Sequence, residues 1–185
     1  MLLLFACAGE TSLPPVDVPN VWVSQDHPAW VESQGILFLE GTPFSGWQYL
    51  VDPQGDTLFI GGFVEGRREG RHESRYPDGQ LQELRYFTSG RQDGMVKKWH
   101  RNGRKSFEAR LVQDQYEGTV RSWFANGQPY EEFNYQDGKE EGRQKRWDEA
   151  GKVLANYEVR RGRKYGLSGT KNCSSPWDSL GVRAR

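Results

Sequence analysis

Glycine recurs at a fixed 24-residue spacing along most of this chain. One series of six is Gly46, Gly70, Gly94, Gly118, Gly142 and Gly166. A second series of five follows the first nine residues later, as Gly55, Gly79, Gly103, Gly127 and Gly151. A period of this length is typical of repeat arrays, in which each unit buries its apolar face against its neighbours. The spacing therefore predicts an elongated, modular architecture.

The composition favours a thin sheet over a disordered chain or a large globular core. Only 35% of the 185 residues are hydrophobic, but the chain has seven Trp, eight Tyr and nine Phe. Disordered segments are poor in aromatic residues, so this class is excluded. The net charge is zero and both signs are interspersed, whereas nucleic-acid binders carry clustered basic patches. We therefore expect no nucleic-acid partner.

Each repeat contains a predicted hairpin turn at the second glycine series. The pairs Asp78-Gly79, Asn102-Gly103 and Asn126-Gly127 are typical of tight turns, because such turns need positive φ. Gln54-Gly55 and Ala150-Gly151 keep the glycine without the polar partner. A strand of about six residues is expected before the turn and one of about eight after it.

A second connection returns the chain to the next repeat through a G-x-x-x-G segment. This segment spans 66–70, 90–94, 138–142 and 162–166, and Asp114 replaces its first glycine in the remaining unit. Such segments predict loops of about three to five residues between antiparallel strands. The predicted fold is all-β, an elongated antiparallel β-meander of 24-residue β-hairpin repeats that forms an open single sheet. We assign five repeats to 46–166, a lead-in and cap to 21–45, and a C-terminal cap and tail to 167–185.

Several segments resemble a known repeat family. They are the lead-in LFLEGTPFSG at 37–46, the turns YPDG at 76–79 and WHRNG at 99–103, and the closing segment at 165–173. Together they resemble the bacterial 24-residue variant of the MORN repeat, found in antitoxin-like and lipoprotein families. The resemblance covers about residues 35–173. It implies a β-hairpin repeat fold and says little about function.

The N-terminal segment 1–20 is interpreted as a lipoprotein-like signal and tether. The residues Leu4–Cys7 resemble a lipobox, in which a small residue precedes a cysteine that becomes lipidated, and a Pro-rich polar stretch follows. This predicts lipidation of Cys7 and a membrane anchor at the bacterial cell envelope. The apolar run is short and lacks the basic region of signal peptides. An incidental cysteine in a cytoplasmic protein is the alternative.

Motifs for catalysis are missing from the sequence. It has no P-loop, dinucleotide fingerprint or nucleophile elbow. His27, His72 and His100 are far apart, and no histidine or cysteine has zinc-ligand spacing. We therefore expect no enzyme activity, catalytic residue, cofactor or metal. Cys173 is read either as a packed thiol or as a redox or soft-metal residue.

One basic–aromatic pattern is a candidate binding face. It consists of Lys97, Arg121 and Lys145, each two residues before Trp99, Trp123 and Trp147. Residues two apart on a strand share a face, so these pairs would form a ladder suited to an anionic or peptide partner through cation–π contacts. In the structural alternative, the Trp rings stabilise the sheet and the long basic side chains cover them.

The leading functional hypothesis is a non-catalytic repeat scaffold for protein–protein interaction, anchored to a membrane as a lipoprotein. The first alternative is a cytoplasmic antitoxin-like protein that neutralises a partner toxin. The second is a MORN sheet that binds lipid headgroups directly. The identity of the protein partner and the oligomeric state stay open.

Overall fold

A computed structural model describes residues 17–168, which form β-strands and turns without a helix. The seventeen strands are β1 (Trp22–Ser24), β2 (Trp30–Ser33), β3 (Ile36–Leu39), β4 (Thr42–Pro43), β5 (Gly46–Val51), β6 (Thr57–Val64), β7 (Arg67–Arg75), β8 (Leu81–Thr88), β9 (Arg91–Gln92), β10 (Gly94–Trp99), β11 (Lys105–Val112), β12 (Gln115–Trp123), β13 (Pro129–Gln136), β14 (Lys139–Glu140), β15 (Gly142–Trp147), β16 (Val153–Arg160) and β17 (Arg163–Leu167).

Most strands belong to one long, open sheet. Its order is β1-β5-β6-β7-β8-β10-β11-β12-β13-β15-β16-β17, with β9 beside β8 and β14 beside β13. Neighbours along the chain pair antiparallel, as in the pairing of β10 with β11, and β1 pairs parallel with β5. The predicted all-β meander is therefore confirmed. The lead-in adds a separate three-stranded sheet, β2-β3-β4.

The structure has a turn at each glycine of the second series, and each of these glycines has positive φ. In the Gly103 turn, the Gly103 N–H donates to the His100 carbonyl at 2.9 Å and the His100 N–H donates to the Arg104 carbonyl at 2.8 Å. This pattern defines a three-residue loop in which only the final glycine needs positive φ. Asn102 does not have positive φ. Its side chain stabilises the loop by accepting a hydrogen bond from the Arg104 N–H at 3.1 Å.

In the first and last repeats, an aspartate at the start of the turn stabilises it. Asp52 Oδ1 accepts the backbone N–H groups of Gln54 and Asp56 at 2.9 and 2.8 Å. Asp148 Oδ1 does the same for Ala150 and Lys152 at 3.0 and 2.9 Å. The turns that lack an Asn or Asp before glycine therefore obtain an equivalent acceptor three residues before the glycine.

The G-x-x-x-G connections are shorter than predicted. Strand β6 ends at Val64 and β7 begins at Arg67, so only Glu65 and Gly66 connect them. Both have positive φ, 49° and 74°, as in the tight turns that match the twist of paired strands. The three residues predicted as a loop belong to the next strand.

The glycines of the first series begin strands or lie within them, and Gly70 and Gly118 lie at irregularities in the pairing. Around Gly70 the register shifts, since Gly61 pairs with His72 while Gly62 pairs with Glu69. A comparable shift occurs around Gly118 in β12. Every glycine of the two series has positive φ. The 24-residue period thus marks a turn in each unit and, at Gly70 and Gly118, a bulge.

The two faces of the long sheet differ in burial. The core face carries the buried side chains, and strand alternation places on it Phe63, His72, Phe87, Val96, Ala109, Leu111, Gln144, Ala155, Tyr157 and Val159. At the N-terminal end of this face, Leu37 and Phe44 from the lead-in pack with Phe63 in one cluster. The small sheet therefore covers the first repeats and leaves a cleft beside them. We call the opposite surface the ladder face.

Candidate binding surfaces

The basic–aromatic residues predicted from the sequence lie on the ladder face. Lys97, Arg121 and Lys145 occupy strands β10, β12 and β15 and alternate with the buried residues of the core face. Trp99, Trp123 and Trp147 end the same three strands and are half-buried. The six residues therefore form two neighbouring rows across the sheet.

The basic row is interleaved with carboxylates. In the strand register, Lys97 pairs with Glu108, Glu108 with Arg121, Arg121 with Glu132, and Glu132 with Lys145. Arg121 Nε donates to Glu132 Oε2 at 3.0 Å. Cross-strand pairs of opposite charge stabilise a sheet by about 0.2–1 kcal/mol each. The predicted basic row is thus one of alternating sign, with three cations and two carboxylates.

The tryptophan row is held by contacts from adjacent repeats. Tyr76 Oη donates to the Trp99 carbonyl at 2.9 Å, and His100 Nε2 donates to the Trp123 carbonyl at 2.8 Å. The cation over the Trp123 ring is Lys105, with Nζ 5.6 Å from the ring centroid, rather than the predicted Arg121. Lys105 also pairs with Glu108 at 2.6 Å. These contacts hold the Trp99 and Trp123 positions in the sheet, and all three tryptophans are half-buried.

Sequence reasoning missed a column two residues after each glycine of the first series. It contains Gln48, His72, Val96, Val120 and Gln144. Two of its polar members, His72 and Gln144, hydrogen-bond to backbone groups of the neighbouring strand. His72 Nε2 donates to the Gly62 carbonyl at 2.8 Å, and Gln144 Nε2 donates to the equivalent Asn134 carbonyl at 2.9 Å. The signal in the sequence was the spacing of Gln48, His72 and Gln144, which is a multiple of the 24-residue period.

The buried His72 is neutral at physiological pH. Desolvation by burial lowers its pKa from 6.5 to about 4, although the hydrogen bond to the Gly62 carbonyl opposes this shift. The charges of Arg68 and Arg85 lower the pKa further. Because a carbonyl oxygen only accepts, the imidazole proton lies on Nε2. Phe59, Phe63 and Phe87 surround the ring, with centroid distances of 6.0, 5.4 and 4.7 Å.

A cleft of about 490 Å³ opens beside His72, between the small sheet and the core face. Its aromatic lining comes from both sheets and includes Trp30, Phe59, Phe63 and Phe87. Arg68 and Glu32 also line it, and both side chains are about half-exposed. The cleft therefore combines apolar walls with charged groups that solvent reaches.

Other predicted site residues lie outside the described part of the chain. Cys7 and Cys173 fall beyond residues 17–168. Among residues 17–168, no cluster of three His, Cys, Asp or Glu side chains has metal-binding geometry. None of these residues forms a helix that is both long and apolar enough to cross a membrane.

Two segments of the chain match the family model of the MORN repeat variant, at residues 68–88 and 116–137. The first covers most of the β7–β8 hairpin and the second most of the β12–β13 hairpin. Repeats of this kind are generally non-catalytic modules for binding. No curated protein matches the chain. The comparisons thus identify MORN-variant repeats in two of the hairpins that build the long sheet.

Proposed function

We propose that this chain is a non-catalytic scaffold that binds a protein partner through its ladder face, and that a lipid on Cys7 anchors it to a bacterial membrane. The observation that carries the binding proposal is the row of half-buried tryptophans beside the row of alternating charge. Trp is enriched at the energetic centres of protein interfaces, where polar and charged groups surround it. The two matches to a binding repeat support the same interpretation.

The charge pattern favours a protein partner over a lipid headgroup. A basic segment gains about 1 kcal/mol per Lys or Arg near an anionic membrane surface. On the ladder face, Glu108 and Glu132 alternate with the three basic residues and offset most of this gain. A protein surface with complementary charges of both signs would instead fit such a row in a defined register.

The anchoring proposal rests on the sequence around Cys7. A lipidated cysteine followed by a Pro-rich tether would hold the sheet away from the bilayer. Stable attachment requires more than one acyl chain, which the lipobox-like sequence would supply through lipoprotein processing.

The anchor is tested by intact mass measurement and membrane fractionation of the natively expressed protein beside a Cys7→Ala variant. We expect an acylated N-terminal Cys7 in the native protein and release of the variant into the soluble fraction. A soluble, unprocessed chain would reject the anchor and leave the cytoplasmic antitoxin-like hypothesis.

The binding surface is tested by crosslinking in the native host with a photoreactive residue at Thr119 or Arg143. Residues at these positions flank the charged row on the ladder face. We expect one protein to crosslink from both positions, and expect Trp123→Ala to reduce the yield. As a control, the same residue at Lys164, which pairs with the core-face residue Val159 on the last strand, should not crosslink that protein. Crosslinking to lipid alone would favour the headgroup hypothesis.

A further inference from the structure

The cleft beside His72 has the dimensions of a small-molecule site. Its volume of about 490 Å³ lies within the range of roughly 300–1,000 Å³ that is usual for ligand pockets. Trp30 comes from the small sheet, while Phe59, Phe63 and Phe87 come from the long sheet. An aromatic group bound between the two sheets would be shielded from water on both sides.

The carboxylates of Glu83 and Glu32, which line the cleft, already have cationic partners. Glu83 lies 2.8 Å from Arg85 and 2.8 Å from Lys98. Glu32 lies 3.9 Å from Arg68. Neither carboxylate is therefore left without a cation beside it.

Arg68 is the cation best placed to meet a ligand. It lies 3.9 Å from Glu32, with both side chains about half-exposed, so this ion pair is weak. Its guanidinium carbon is 5.8 Å from the centroid of the Phe87 ring, next to the aromatic wall. Burial is the main cause of the lowered pKa of His72, and Arg68 and Arg85 both lower it further. Both arginines therefore place positive charge near the His72 ring.

We propose that this cleft binds an aromatic carboxylate, with the aromatic ring against Phe87 and Trp30 and the carboxylate at the Arg68 guanidinium. Arginine matches a carboxylate with parallel hydrogen bonds, and aromatic walls favour offset or edge contacts with the ligand ring. The cleft is on the core face, so this binding does not depend on the proposed use of the ladder face.

The test compares two probes on the full chain by calorimetry and NMR titration. N-acetyl-L-phenylalanine carries the carboxylate, and N-acetyl-L-phenylalaninamide has the same ring without the charge. We expect the acid to bind about tenfold more tightly than the amide and to shift the ring resonances of His72. Arg68→Ala should reduce acid binding to the level of the amide. Arg71→Ala is the matched control on the ladder face and should preserve the preference for the acid.

A second variant tests the location independently of charge. Ser74→Phe places a bulky side chain in the lining of the cleft and should abolish binding of both probes. Circular dichroism should show that this variant keeps its sheet. Equal affinity for acid and amide, unshifted His72 resonances, or unchanged binding by folded Ser74→Phe would each overturn the proposal.

Discussion

Glu69 Oε2 accepts a hydrogen bond of 2.7 Å from the backbone N–H of Ser89, the first residue of the two-residue turn in the following repeat. Glu117 accepts the equivalent N–H of Asp137 at 3.0 Å, and Ser45 Oγ accepts that of Glu65 at 2.8 Å. Each bond spans 20 residues. Before Gly46, Gly70 and Gly118, the preceding residue therefore links its unit to the turn of the next.

Loss of this link should destabilise the array. Glu69 is 6% exposed, so Glu69→Ala leaves the Ser89 N–H without its acceptor and should lower the free energy of unfolding by about 1–3 kcal/mol. Glu69→Gln keeps an oxygen acceptor and should lose less. Urea denaturation measures both, with exposed Glu149→Ala as the control. Equal stability of Glu69→Ala and the control would contradict the role of the carboxylate.

The Gly103 turn gives a test of the positive φ at the second glycine series. Gly103 has φ of 79°, and a Cβ there would lie 3.3 Å from Gln80 Oε1. Gly103→Val should destabilise the protein by about 1–3 kcal/mol, because β-branched residues resist this backbone conformation. Ala125→Val, in the equivalent turn of the next repeat but without positive φ, should cost much less. Thermal denaturation measures both variants, and equal melting temperatures would contradict the turn assignment.

His72 should make stability depend on pH. Its folded pKa is about 4, against 6.5 when unperturbed, so the unfolded state takes up the proton first on acidification. The contribution to stability is complete above pH 6.5 and decreases as the pH falls towards 4, by about 3 kcal/mol in total. His72→Gln should remove this dependence. Gln144 makes the same type of hydrogen bond in the fifth repeat, so this substitution keeps the backbone contact.

The repeat period predicted the fold because glycine positions report backbone conformation directly. It did not distinguish the two connections of each unit, since both an Asn-Gly pair and a Gly-x-x-x-Gly segment are compatible with tight turns. Contacts between repeats decide which turn type each connection adopts. The Gly90 N–H, for example, donates to the Arg68 carbonyl at 2.9 Å, and this contact helps to hold the two-residue turn in place.

The candidate surfaces were predictable only in part. Strand alternation places Lys97 and Trp99 on one face, because both belong to one strand. The interleaved Glu108 belongs to another strand, and its position beside Lys97 depends on the register set by the bulge and turn. The cleft depends on packing of the lead-in against Phe63, which no periodic pattern encodes. By contrast, the acidic residues that precede glycines of the first series, such as Glu69 and Glu117, form a periodic pattern that the sequence shows directly.

Two equivalent glutamates on the core face have different neighbours, because an arginine lies two residues after Glu83 and a phenylalanine two residues after Glu131. Glu83 accepts Arg85 Nη2 at 2.8 Å and pairs with Lys98. Forty-eight residues later, Glu131 faces Arg146 at 3.9 Å, and Phe133 occupies the position of Arg85. Burial opposes ionisation of Glu83, but Arg85 and Lys98 outweigh it and lower its pKa. Burial raises the pKa of Glu131, and Arg146 and Tyr130 offset only part of this effect.

The two glutamates should therefore respond oppositely to replacement by glutamine. Ionised Glu83 stabilises the fold above its ordinary pKa of 4.5, and this contribution disappears as the pH falls through the lower folded value. Glu131 disfavours the fold once the pH rises above 4.5 towards its higher folded value. At neutral pH, Glu83→Gln should lower the free energy of unfolding by about 1–2 kcal/mol, whereas Glu131→Gln should leave it unchanged or raise it. Urea denaturation at neutral and acidic pH measures both, and equal losses at neutral pH would contradict the explanation based on Arg85.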